Sequence, residues 1–104
     1  GALKSTTEAV VGTMAALTLK DYHFTKGFFG TNGVSRAAGF TTPDANEALV
    51  KRTALEQCRT AYILCDNSKF HVVSSVTFAP FAAATVLTDK KPEEYGGVEN
   101  VVAC

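Results

Sequence analysis

Five apolar residues in a row, AYILC at positions 61–65, are closed at once by Asp66, Asn67 and Ser68. A run this short and unbroken, bounded by turn residues, is the pattern of a strand buried on both faces, as in a parallel sheet. A helix-like stretch precedes it. Thr42-Pro43-Asp44 opens that helix, since proline is tolerated in the first turn and an acid favours the positive helix end. It is expected over about residues 43–57, with Ala48, Leu55 and Cys58 inward.

Other segments extend the alternation. Ser5-Thr6-Thr7-Glu8 reads as a capping box, followed by apolar residues at Val10, Val11, Met14, Leu17 and Leu19, so a first helix is expected to about Lys20. Residues 24–31 form a strand with Phe28 and Phe29 inside. Gly30-Thr31-Asn32-Gly33 makes a turn, and the chain stays irregular up to Thr42. Further strands are expected at 72–78, 85–87 and 98–103. Strands alternating with helices predict an α/β fold: one domain over 1–104, with a mostly parallel, Rossmann-like sheet flanked by helices.

Composition narrows the function. Ten Lys and Arg balance ten Asp and Glu across 104 residues. A DNA-gripping domain carries a basic stripe to neutralise phosphates, and none is visible. The longest weakly polar run, 78–87, contains Pro80 and is too short to span a bilayer. Cys58, Cys65 and Cys104 form no CxxC pair and stand at no zinc spacing from His23 or His71. They read as structural thiols in a reducing cytosol, and neither metal nor cofactor is implied.

In parallel sheets, ligands bind beyond the carboxyl ends of strands. Two such ends carry polar groups: Gly30-Thr31-Asn32-Gly33-Val34 and Asp66-Asn67-Ser68-Lys69-Phe70. Each residue type is also an ordinary turn former. Glu47 and Lys51 are four apart on one helix face, either a solvated ion pair or a crevice lining. Lys69, just past a strand end, is the best single candidate for an anion contact. His23 and His71 have no acid partner nearby in sequence. No GxSxG elbow, Walker A loop or GxGxxG fingerprint occurs.

Three segments together resemble the effector domain of DeoR-family repressors: KGFFGTNGV (26–34), GFTTPDANEALVKR (39–52) and YILCDNSKF (62–70). STTEAVVG (5–12) and TVLTD (85–89) fit the same resemblance. It implies a transcriptional repressor of sugar metabolism, with an amino-terminal helix-turn-helix for DNA and a sensor for a phosphorylated sugar. By that pattern the chain begins partway into the sensor, and the Asp-Ser-Gly-Thr-Thr-like phosphate loop lies upstream. The retained ligand-binding wall would comprise Gly30, Asn32, Gly33, Glu47, Lys51 and Lys69. The resemblance also implies a cytoplasmic homo-oligomer.

The fold group is similar to ribose-5-phosphate isomerase and glucosamine-6-phosphate deaminase, the enzyme alternative. Such isomerases need carboxylates to move a proton. The Gly30–Val34 loop has none, and an ungapped match of the Asp66 loop puts Lys51 at the base position. The pocket is expected to persist without the chemistry.

Overall fold

The computed structural model describes residues 2–104, with side chains from residue 9 onward. Helix α1 spans Ala2–Leu19 and is followed by β1 (Phe24–Gly30), β2 (Gly33–Ser35) and β3 (Gly39–Thr42). Then come α2 (Ala45–Glu56), β4 (Cys58–Cys65), β5 (Val76–Ala79), β6 (Thr85–Thr88) and β7 (Val101–Ala103). Single 3₁₀ turns occupy Asn67–Lys69, Phe81–Ala83 and Glu93–Tyr95.

The α/β expectation holds. Strands β1, β4, β6 and β7 form a parallel sheet in that order. The stretch expected to be irregular instead contributes β2 and β3, which join β5 in a small antiparallel sheet. Its partners are distant in sequence, and Val34, Phe40 and Phe78 are wholly buried by the pairing. Burial of each such side chain stabilises by about 1.5–3 kcal/mol, a tertiary gain that no local pattern in the sequence announces.

Asp44 caps α2, its Oδ1 accepting from the Asn46 amide at 2.8 Å and the Glu47 amide at 3.5 Å. At the other end, Gln57 Nε2 donates to the carbonyls of Lys20 and Tyr22 at 2.9 and 2.8 Å. Both ends are thus fixed, which holds α2 in register across β1. Cys58 lies in β4 rather than on the inner face of α2.

Several expectations are corrected. Helix α1 is already helical at Ala2, so Ser5 does not begin it; the side chains of the supposed capping box lie outside the described residues. The later strands are shorter or shifted, at 76–79 and 101–103. Phe29, Ile63, Val86 and Val101 are register neighbours on the core face, beneath α2. Phe28, Tyr62 and Leu64 point the other way, and Phe28 is exposed rather than inside. The 61–65 strand is therefore buried on one face only.

Candidate functional site

The carboxyl ends of β1, β4 and β6 open on one end of the parallel sheet. At the end of β1, Lys51 reaches across from α2 and donates to the Gly30 carbonyl at 2.9 Å. Its ammonium also pairs with Glu47 at 2.8 Å and stands 5.2 Å from the centroid of the Phe78 ring. An ammonium has three donors, so one N–H stays available beyond these two oxygens. Gly30, Glu47 and Lys51 thus form one connected group, and the pair is not merely a solvated i,i+4 contact.

The adjoining loop is tied by hydrogen bonds to β2 and β3. Thr31 Oγ1 lies 2.8 Å from the Gly33 carbonyl and 3.1 Å from that of Thr41, and the Asn32 amide donates to Thr41 O at 3.0 Å. Asn32 itself is exposed. Gly33 is buried because Val72 crosses it closely: a Cβ there would lie 2.1 Å from the Val72 carbonyl oxygen.

Lys69 ends the 3₁₀ turn after β4. A parallel bridge between Val34 and Phe70, with the His71 amide donating to Val34 O at 2.8 Å, sets this turn beside the Gly33 loop. The lysine's only ion pair among the described residues is a loose one, 4.0 Å to Asp66. No hydrogen bond or ion pair among the described residues joins Lys69 to Lys51 or Asn32. The two groups share an end of the sheet and a bridged backbone, not a direct contact.

A cavity of about 590 Å³ opens beyond β4 and β6, lined by Asn67, Ser68, His71, Lys90 and Glu94 among others. Asn32, Lys51 and Lys69 are not among its walls. Sequence reasoning missed this side. Glu94 lies 2.6 Å from His71 Nε2, an acid partner 23 residues away. The Glu94 carboxyl is held below its ordinary value, first by a backbone hydrogen bond at Glu94 and then by His71. Arg36 stands over Tyr95 and donates to the Glu94 carbonyl. The signal available in the sequence was the Asp ending TVLTD, a strand-end acid like Asp66.

Both strand-end acids are engaged structurally. Asp66 accepts from the amide and hydroxyl of Ser68, contacts that lower its pKa. Asp89 Oδ1 accepts from the amides of Asn67 and Lys90 at 2.8 and 2.9 Å. Among the described residues, the end of the sheet therefore offers lysines and hydrogen-bonded loops, with Asp66 and Asp89 both tied to backbone amides.

Cys65 closes β4 between these acids. Burial, then the charges of Asp66 and Asp89, push its thiol up to about 11. At pH 8 roughly one part in a thousand is thiolate, the reactive form. Iodoacetamide at pH 8 is expected to label the exposed Cys104 while Cys65 stays unmodified in the folded protein; peptide mass spectrometry checks this. Among the described residues, no three His, Cys, Asp or Glu side chains cluster to hold a metal.

Residues 1–90 match the DeoR C terminal sensor domain family. The chain belongs to this family. It is 44% identical over 93 residues to the HTH-type transcriptional regulator FruR of Bacillus subtilis, covering 89% of this chain and 37% of that protein. The lactose phosphotransferase system repressor of Staphylococcus aureus is 33% identical, covering 90% of this chain and 38% of the repressor. The regulator GlpR of Haloferax volcanii is 34% identical, covering 76% and 31% respectively. The DeoR sensor chain thus spans under two fifths of the length of these relatives. The matched family is that of a sensor domain and the relatives are named as transcriptional regulators or repressors, which favours a regulator over the isomerase alternative. No helix among the described residues is long and apolar enough to cross a membrane.

Proposed function

We propose that this chain is the effector-binding part of a cytoplasmic DeoR-type repressor of sugar metabolism, and that a phosphorylated sugar is its ligand. The observation carrying the reading is the Lys51 ammonium, fixed by Glu47 and Gly30 at the carboxyl end of β1. DNA is contacted through a separate helix-turn-helix domain, consistent with the balanced charge here. The repressor works as a homo-oligomer, matching paired half-sites.

In this reading Glu47 and Asn32 take sugar hydroxyls, since a carboxylate repels a phosphate. Lys69, only loosely paired, takes the phosphate, and the spare Lys51 N–H adds a charge-assisted hydrogen bond. Gly30 and Gly33 keep the loop low beside the ligand. Binding has to favour one arrangement of the repressor over another, and a tenfold loss of DNA affinity needs about 1.4 kcal/mol of such coupling.

The test is a thermal-shift panel on the full-length repressor, sugar phosphates against the unphosphorylated sugars. At least one phosphate is expected to raise the melting temperature where its parent sugar does not. Lys69→Ala is expected to weaken that ligand by about tenfold to a hundredfold, as loss of one charged hydrogen bond does, and to leave operator binding intact. A flat panel refutes the sensor reading and leaves an oligomerisation module with a degenerate pocket. Normal induction of the Lys69→Ala repressor removes Lys69 from the site.

A further inference from the structure

Parallel sheets are covered on both faces, because their crossovers lay helices there. Among the described residues, this sheet is covered on one. Its strands follow in the order β1-β4-β6-β7, each step in the same direction. Crossovers between parallel strands are almost always right-handed, so steps in one direction place every connection on the same face. The structure agrees: α2 and the buried Tyr95 of the β6–β7 connection belong to the core face with Ile63 and Val86.

Among the described residues the other face is bare and largely apolar, Lys26, Thr60 and Thr85 aside. Phe28 stacks on Tyr62 with centroids 5.1 Å apart, and the row continues through Leu64, Leu87 and Val102. Phe28 is 58% exposed, Leu64 48% and Val102 42%. Connected apolar area of this kind marks a contact surface. A second apolar surface lies apart from it. Helix α1 packs on α2 through Gly12 and shows Val10, Met14 and Leu17 on its opposite side. A helix apolar on both sides belongs in an interior.

We infer that the bare sheet face, centred on Phe28, Tyr62 and Leu64, is the docking surface for amphipathic helices of the same regulator polypeptide, from outside the 104 residues. Two observations favour this occupant over a second copy. This stretch covers only 37% and 38% of two regulators it matches, so most of such a polypeptide lies elsewhere. Two separate apolar surfaces also need covering, whereas one two-fold pairing of the sheet face covers one of them. The rule of crossover hand adds that covering helices come from connections running in the opposite direction, none of which this stretch contains. The inference is independent of the ligand, and a flat effector panel leaves it standing.

Hydroxyl-radical footprinting of the full-length regulator tests it, with Tyr22 as internal reference because it is comparably exposed, at 52%. Phe28 and Leu64, each corrected for the intrinsic radical reactivity of its side-chain type, are expected to oxidise on the order of tenfold more slowly than Tyr22, as side chains removed from water do. That protection is expected to persist when the protein is diluted until sedimentation shows monomers. Corrected oxidation at the rate of Tyr22 overturns the inference. Protection that disappears on dilution overturns it as well, and assigns the face to a second copy.

Discussion

Gly33→Ala is expected to lower stability by about 3 kcal/mol or more, the range of severe backbone and packing defects. An added Cβ would stand 2.1 Å from the Val72 carbonyl oxygen and 2.6 Å from Thr41 Oγ1. Neither neighbour can withdraw easily. The His71 amide is bonded to Val34 O at 2.8 Å, and Thr41 Oγ1 accepts from the Ser74 amide at 2.9 Å. The crossing segment is therefore pinned on both sides of Val72. For a domain of this size the loss corresponds to a fall of roughly 12–24 °C in melting temperature. Calorimetry checks it, and a melting point within about 2 °C of the parent would show that residues 71–74 do not press on Gly33. Gly30 makes the contrast: a Cβ there meets nothing within 4 Å. Alanine at Gly30 thus probes the loop surface without disturbing the fold, while alanine at Gly33 reports on the fold alone.

The two glycines look alike in sequence, and their difference shows which physics is local. Asp44 was readable as a helix start because a cap acts over three residues, and the structure returns that contact. The apolar run at 61–65 was readable as a strand for the same reason. Strands β2 and β3 were not, since Gly33–Ser35 pairs with Gly39–Thr42 only when β5, more than thirty residues on, completes the sheet. Phe28 misled because an apolar residue in a strand reads as buried, and which face gains a cover depends on connections elsewhere.

The site divides in the same way. Glu47 and Lys51 were legible as a pair by helical spacing, and Lys51 proves to be tied to Gly30 as well. The His71–Glu94 contact was not legible, because a 3₁₀ turn and a left-handed backbone at His71 (φ 66°) bring them together. The Phe78 ring beneath Lys51 was equally hidden, being a product of tertiary packing between β5 and α2.

That ring carries the second large expectation. Phe78→Ala is expected to cost about 3–5 kcal/mol, the usual toll for emptying a fully buried phenylalanine site. Phe78 has no solvent exposure and packs against Phe40, with centroids 6.3 Å apart. The cavity would open in the small sheet and under α2 together, so denaturant unfolding should show an earlier midpoint with a little-changed slope. Phe78→Leu separates volume from ring. It refills most of the space at a cost of about 1–1.5 kcal/mol but takes away the π face over which the Lys51 ammonium stands at 5.2 Å. A cation over an aromatic face contributes from about 0.5 kcal/mol where exposed to about 2 kcal/mol where desolvated. A double-mutant cycle of Phe78→Leu with Lys51→Met should therefore show coupling of that size, whereas independent sites add to within about 0.3–0.5 kcal/mol. Clear coupling means that the core aromatic orients the lysine at the strand end, joining the packing of the small sheet to the charge at the candidate site. Strict additivity would mean that Glu47 and Gly30 hold Lys51 without help from the ring.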